Sequence, residues 1–267
     1  MMHSKIAIII TAAGSSTRIG GNVKKEYLPY KDGTVLSNCA IAFLKADYSF
    51  CSLCNEIEVD NHSVSNNVYC KISNFIITCP AGGKSEAEKA LEKDKELSEL
   101  LNNEHKNIKI NFVEGGNTRQ KSVFNALKAI KSSGINPDIV LIHDGARPFI
   151  KEDVIRNVTA GALEFGASVP GVTPIDTQKE IDENGFVVRH LIRKNLLAVQ
   201  TPQGFNFAKL YEAHKNAEID YSDKNCMEVR EFTDDTEIWG KYYGLVKTVP
   251  GDINNIKITY PSDLERL

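Results

Sequence analysis

The apolar positions of this chain fall into short continuous runs separated by stretches of helical period. Ile6-Ala7-Ile8-Ile9-Ile10 has no polar alternation, the pattern of a strand buried on both faces. Val35, Leu36, Cys39, Ala42, Phe43 and Ala46 recur at helical spacing. Phe75-Ile76-Ile77-Thr78-Cys79 reads as a second buried strand, stopped by Pro80. Ala87, Ala90, Leu91, Leu97, Leu100 and Leu101 predict one helix over 84–102, whose Glu and Lys residues form a solvated face. The alternating run 108–112 predicts a third strand, and Val123, Ala126, Leu127 and Ile130 mark a helix ending at Gly134. A fourth strand over 138–143, a helix over 152–165 closed by Gly166, and a fifth strand over 167–172 continue the series. Strand and helix in alternation predict a parallel, twisted sheet with helices on both faces. Ligands of such sheets sit outside the C-terminal strand ends, where the loops 11–21, 114–119 and 144–148 all fall.

Two stretches break the alternation. Residues 47–71 are polar, hold no sustained period, and read as an insertion, part loop and part edge strand. Beyond Thr173, Asn184-Gly185 between two short strand-like runs predicts a β-hairpin. A hairpin cannot bury both faces alone, so the segment 173–199 is expected to be an arm against a second copy of the chain. Helices are expected over Phe207, Leu210, Tyr211 and His214, and from Thr233-Asp234-Asp235, where Thr and Asp suit an N-terminus. Runs 245–249 and 256–259 are expected to finish the sheet. With no repeat and no low-complexity linker, 1–267 is read as a single domain with an arm.

Composition narrows the class of partner. The 267 residues carry 32 basic and 35 acidic side chains, a net charge of −3, so no global field draws the chain to nucleic acid or anionic lipid. No apolar run approaches the roughly 20 residues of a membrane span. Met1-Met2-His3-Ser4-Lys5 passes straight into a strand without a cleavage pattern, so a cytoplasmic location is expected. Cys51-x-x-Cys54, with His62 and Cys70, offers zinc-ligand types but lacks the paired spacing of a zinc ribbon. Scattered reduced thiols, and no protein metal site, are the expectation.

The candidate chemistry starts at the first loop, Thr11-Ala12-Ala13-Gly14-Ser15-Ser16-Thr17-Arg18-Ile19-Gly20-Gly21, with Lys24 and Lys25 behind it. Small residues let backbone N–H groups reach a phosphate, and cations neutralise the rest. The loop therefore reads as a nucleoside triphosphate site or, standing alone, as an ordinary strand-to-helix turn. Neither Gly-x-Gly-x-x-Gly nor a Walker pattern is present, which argues against a dinucleotide-dependent dehydrogenase.

Five motifs carry a resemblance. They are Ala12-Ala13-Gly14-x-x-x-Arg18 with Lys25, and Gly115-Gly116-x-x-Arg119-x-x-Ser122-Val123. His143-Asp144-Gly145-Ala146-Arg147-Pro148 follows, then Asp176-Thr177 with Arg193 and Gln200-Thr201-Pro202-Gln203, and finally Asn255-Ile256-Lys257-Ile258-Thr259. In these the chain resembles the 2-C-methyl-D-erythritol 4-phosphate cytidylyltransferases of the non-mevalonate isoprenoid pathway. The resemblance implies a Rossmann-like nucleotidyltransferase three-layer sandwich, mostly parallel, with a protruding hairpin arm and a homodimer built through it. It implies attack of a sugar-alcohol phosphate on the α-phosphorus of CTP, with pyrophosphate released and Mg²⁺ held mainly by the CTP phosphates.

By the same resemblance Arg18 and Lys25 stabilise the transition state, and Arg193 and Lys257 are catalytic while also holding the acceptor phosphate. Ala12, Ala13 and Gly14 would meet the triphosphate. Gly116, Asn117, Arg119 and Ser122 would read the cytidine, and Asp144 with Gly145 would sit at the ribose or a hydrated Mg²⁺. Arg147, Thr177 and Thr201 would join Arg193 and Lys257 around the acceptor. Read from the residues alone, a turn-capping aspartate is the alternative for Asp144, and periodicity favours an exposed lysine on an edge strand for Lys257. His143 is expected to be structural. The chain departs from the family pattern at Ser16, Lys24 and Glu26, in an insertion over 47–106, and in a short final helix. Two rivals stay open: a cytidylyltransferase for ribitol 5-phosphate or a similar polyol phosphate, and a catalytically silent nucleotide-binding protein.

Overall fold

The computed structural model describes residues 2–16, 24–51, 67–222 and 232–266. Strand β1 (Met2–Thr11) is followed by the short pair β2 (Pro29–Tyr30) and β3 (Gly33–Thr34) and by helix α1 (Val35–Lys45). Thr34 caps α1: its hydroxyl accepts from Ser37 N, while Ser37 Oγ accepts from Thr34 N, a reciprocal capping box. Next come β4 (Ser49–Cys51), β5 (Asn67–Cys79), α2 (Lys84–Glu92), α3 (Lys95–Asn103), β6 (Ile110–Glu114) and α4 (Arg119–Ser132). Then follow β7 (Ile139–Asp144), α5 (Glu152–Phe165), β8 (Ala167–Val172), and the hairpin β9 (Lys179–Ile181) and β10 (Val187–His190). The chain closes with β11 (Ala198–Val199), β12 (Gln203–Asn206), α6 (Phe207–Ser222), α7 (Asp235–Tyr243) and β13 (Lys247–Pro250).

Nine of these strands form one sheet, with β6, β5, β1, β7, β12, β8 and β13 lying side by side in that order. Six of the nine, β6, β5, β1, β7, β8 and β13, point the same way, and β12, β11 and β4 run against them. The continuous apolar run in β1 serves two cores at once. Ile6, Ile8 and Ile10 face a cluster with α1, α3 and α5, while Ala7 and Ile9 face a second with α4, α6 and α7. Period-two side-chain alternation on a strand covered on both faces produces this three-layer sandwich.

Four details differ from the sequence expectation. The helix over 84–102 is two helices, because Asp94, buried, accepts from Leu97 N to cap α3 and from Ser37 Oγ on α1. Within residues 47–106, β5 begins at Asn67, inside the polar stretch read as loop and edge strand; it pairs with β1 and β6 one strand in from the sheet edge, and Leu97 and Leu100 belong to the core. β12 slides antiparallel between β7 and β8 where continuous parallel order was expected. Its Gly204 permits this, since a Cβ there would stand 2.9 Å from Val158 Cγ1 and 3.0 Å from Ala162 Cβ of α5. Residues 256–259 do not join the sheet. After β13 the chain turns through 252–255, with Asn255 N donating to Asp252 O, and Ile258 N donates to Ala146 O beyond β7. That detour carries Lys257 to the strand ends.

The hairpin is present as expected, with Val187 opposite Ile181 and Gly185 in the left-handed region at a φ of 84°. Asp182 Oδ1 accepts from Asn184 N and Phe186 N, which closes the turn. Arg18, Cys54 and His62 lie outside the described residues. No helix among the described residues is long and apolar enough to cross a membrane.

Candidate active site

Register places the site. Thr11 ends β1 directly opposite Asp144 of β7 and Thr78 of β5, and Thr78 lies opposite Val113 of β6. The loops leaving these strands enclose a cavity of about 540 Å³. One wall is Ala13, Gly14, Ser15 and Ser16; another is Gly116, Asn117, Thr118, Arg119 and Ser122; Asp144, Lys25 and Lys257 also line the cavity, with Thr11, Glu26, Ala146 and Thr259.

The glycine loop has little freedom to change. A Cβ on Gly115 would stand 2.4 Å from Ala13 Cβ and 2.7 Å from Ser122 Oγ. One on Gly116 would meet Lys121 Cβ at 2.4 Å. Ser122 Oγ accepts from Gly116 N at 3.1 Å and donates to Thr118 O at 2.8 Å, so its hydroxyl holds the loop to α4. Thr118 caps α4 by accepting from Lys121 N.

Cations converge on one carboxylate. Asp144 Oδ2 lies 2.9 Å from Lys257 Nζ and 3.4 Å from Arg147 Nε, and Oδ1 lies 3.8 Å from Arg119 Nε. Burial alone would raise the Asp144 carboxyl, yet Lys257, Arg119 and Arg147 outweigh it and hold the group well below the usual carboxylate range. Asp144 is therefore a permanent anion inside a cationic ring, not a turn cap. Lys25 Nζ donates to Ile258 O at 2.9 Å, joining the first loop to the segment that carries Lys257. Lys24 reaches Gly14 O and lies 3.9 Å from Glu26 Oε2, which also accepts from Ser16 Oγ at 3.2 Å. Burial raises the Glu26 carboxyl against the opposing pull of Lys24.

Of the residues singled out in the sequence, Ala13, Gly14, Lys25, Gly116, Asn117, Arg119, Ser122, Asp144 and Lys257 line the cavity. Ala12 is buried behind it, with its N–H donating to Thr78 O and Thr78 Oγ1. Gly145 N donates to Thr11 O, and a Cβ there would press on Leu36 and Ile10, so it packs under the site. Arg147 donates to Asn255 O at 2.6 Å and leans on Asp144 from behind. Thr201 is not open to a ligand: it is buried, its hydroxyl donates to His143 Nδ1 and accepts from Asp144 N, both at 3.1 Å. His143 Nε2 then donates to Arg147 O, which fixes the neutral tautomer, and burial pushes the imidazole down to about 4. Thr177 and Arg193 stand on the arm, exposed, with Arg193 donating to Ile175 O; neither lines this cavity.

Sequence reasoning placed Thr11 and Ser16 in the phosphate loop but passed over Glu26, Thr118 and Thr259 as site walls, and Asp235 behind Arg119. Position within or beside a recognised motif would have found the walls. For Asp235 the only signal was a second acid after a capping one, which helix starts use routinely.

Small-residue loops over a cation-lined cavity at the C-terminal strand ends of a three-layer α/β sandwich define a nucleotide site of the nucleotidyltransferase class. The family model for 2-C-methyl-D-erythritol 4-phosphate cytidylyltransferase (IspD) matches residues 87–266. The enzyme of that description from Clostridium beijerinckii is 35% identical over 97% of this chain and 95% of its own length. That from Clostridium tetani is 32% identical over 98% and 88%. The crystal structure of the Thermus thermophilus cytidylyltransferase superposes with a TM-score of 0.67 at 26% identity, covering 98% of this chain and 96% of that one. The 4-diphosphocytidyl-2C-methyl-D-erythritol synthase of Anaerococcus prevotii gives 0.68 at 25%, covering 98% and 94%. The chain belongs to the 2-C-methyl-D-erythritol 4-phosphate cytidylyltransferase family.

Proposed function

We infer that the chain joins CTP and 2-C-methyl-D-erythritol 4-phosphate to give 4-diphosphocytidyl-2-C-methyl-D-erythritol and pyrophosphate. The observation that carries this is Asp144 with Lys257 and Arg119 beside it, lining one cavity with the first loop, while Arg147 backs the carboxylate. An oxygen of the acceptor phosphate attacks the CTP α-phosphorus, a new P–O bond forms, and the bond to the bridging oxygen breaks as pyrophosphate leaves. The nucleophile is already an anion, so no general base is needed, and positioning with charge stabilisation supplies the catalysis.

Ala13, Gly14 and Ser15 present backbone to the triphosphate, with Arg18 and Lys25 as its cations. Gly116 and Asn117 offer backbone groups to the donor and acceptor edge of cytosine, with Ser122 holding that loop in shape. Lys257 meets the acceptor phosphate, and Arg147 and Thr201 work from behind by fixing Asp144 and its backbone. A carboxylate held ionised beside a triphosphate fits Mg²⁺, which takes one or two carboxylates and leaves the rest of its shell to phosphates and water. Asp144 would hold it, and the ion would neutralise phosphate charge.

The arm supports a homodimer. Ile181, Phe186, Val188 and Ile192 are all exposed on it, Phe186 at 71%, a cluster of large apolar side chains that a partner surface would cover. A second copy covering it would receive Thr177 and Arg193 at its own pocket. The unpaired thiols Cys39, Cys70 and Cys79 suit a reducing cytoplasm. The test is pyrophosphate release with Mg²⁺ and CTP on adding methylerythritol phosphate. Faster turnover with ribitol 5-phosphate overturns the acceptor, and no release with either overturns the transferase reading.

A further inference from the structure

Asp235 is completely buried, yet its Oδ2 lies 2.6 Å from Nη1 of Arg119, a guanidinium that lines the pocket. A buried carboxylate is tolerated only when its lone pairs are met. Asp235 meets this demand from two sides, because Oδ1 accepts from His214 Nε2 at 3.0 Å. Burial alone would raise its carboxyl, but Arg119 and then His214 reverse that and hold it ionised.

His214 is itself shut off from solvent, and its Nδ1 is buried with no partner. A neutral imidazole has one N–H, and the hydrogen-bond network assigns it to Nε2, facing Asp235. The ring lies flat on Phe124, centroids 5.7 Å apart and 16° between planes. Phe124 belongs to α4, whose first residue is Arg119. One helix therefore carries both the guanidinium and the surface against which the histidine rests. Asp235 opens α7, where Asp234 is the cap, accepting from Glu237 N and, at its other oxygen, from Gln203 Nε2.

We propose that Asp235, held by His214, is the positioning residue for Arg119 in nucleotide binding. This rests on the cytidylyltransferase reading of the same pocket. Arg119 is drawn by two carboxylates on different elements, with Nε towards Asp144 at 3.8 Å and Nη1 towards Asp235 at 2.6 Å. A planar guanidinium gripped at two edges keeps one orientation. Released from Asp235, it would turn away from the nucleotide wall, while Lys257 keeps its place on the other oxygen of Asp144. Lys257 and the arm are untouched, so the loss falls on CTP and not on the acceptor.

The experiment compares Asp235→Asn, His214→Leu and His214→Gln with the unaltered full-length protein. CTP affinity is measured by calorimetry without acceptor, then kcat and both KM values, then thermal unfolding. Asp235→Asn is expected to raise the CTP Kd and KM about tenfold or more while the acceptor KM stays within about twofold. His214→Leu is expected to follow in the same direction, and His214→Gln, which keeps a donor, to restore most of the affinity. Lowered thermal stability with an unchanged CTP Kd, or equal rises in both KM values, overturns the proposal and leaves a purely structural bridge. If Asp235→Asn fails to fold, the Leu and Gln variants of His214 decide by the same two readouts. Failure of the unaltered protein to bind CTP would instead sink the functional reading, and is seen before any variant is made.

Discussion

Lys257 Nζ stands 2.9 Å from Asp144 Oδ2, so the free protein already holds the cation proposed for the acceptor phosphate against a carboxylate of its own. The lysine is in place before any phosphate arrives, and the cost of ordering its long side chain is met by folding. Replacing Lys257 with Ala is expected to cut turnover by about 10²–10³, the usual loss when one preorganised charge at a transition state is removed. Thermal stability should change little, since Arg119 and Arg147 still flank Asp144. Steady-state pyrophosphate release and a melting curve check both halves.

Gly115 gives a prediction of steric origin. Its missing Cβ leaves room for Ala13 Cβ and Ser122 Oγ, which would lie 2.4 and 2.7 Å away. Neither neighbour can retreat: Ala13 lies beside Ala12, whose N–H is tied to Thr78, and Ser122 is bonded to Gly116 and Thr118. Gly115→Ala should push the loop out of register with the first loop, at about 1–3 kcal/mol in stability. CTP KM should rise more than acceptor KM, as steady-state titration of each substrate would show.

What could be read from the chain alone follows from where each residue's partners lie. The run Ile6–Ile10 announced a central strand because both its faces are buried by helices, a local consequence of a global arrangement. The loops at 114–119 and 144–148 were legible because glycine, small residues and charge cluster in sequence. β12 was not, since Gln203-Gly204-Phe205-Asn206 has no period and owes its place to a helix that passes close over Gly204. Asp235 was invisible for a similar reason: its partners, Arg119 and His214, are far away in sequence and meet it only after folding. Thr201 matched a motif, but only its buried bonds to His143 and Asp144 N reveal a supporting task.

His143 makes the protein sensitive to acid in a defined window. In the unfolded chain its imidazole titrates near its ordinary value of about 6.5, whereas in the fold burial lowers it to about 4. The native state therefore binds fewer protons than the unfolded state between those values, and stability falls as pH drops through the window. Fully developed below pH 4, the loss from this one group is about 3 kcal/mol. Chemical denaturation at a series of pH values should show the decline. NMR of the ring should show a neutral Nε2–H tautomer that persists to about pH 4; titration near 6.5 would contradict the buried relay through Thr201.

The arm offers the sharpest test of how Thr177 and Arg193 act. Both are exposed on the protomer and absent from the wall of its own cavity, while Lys257 lines that cavity. If the arm serves a second copy, Arg193→Ala spoils the pocket it reaches across the dimer, and Lys257→Ala spoils the pocket of its own chain. Each variant alone should be nearly inactive as a homodimer. Mixed in equal amounts and allowed to exchange, half the dimers are mixed, and each mixed dimer has one pocket with an intact lysine served by an intact arm. About a quarter of the unaltered activity should return, the statistical share for a two-fold dimer with free exchange. Phe186→Glu with Val188→Glu, placed on the exposed apolar face of the hairpin, should abolish that recovery and yield a monomer by sedimentation. Activity that stays flat on mixing, with exchange verified by mass-labelled chains, would place Arg193 in its own protomer's chemistry or outside the reaction altogether.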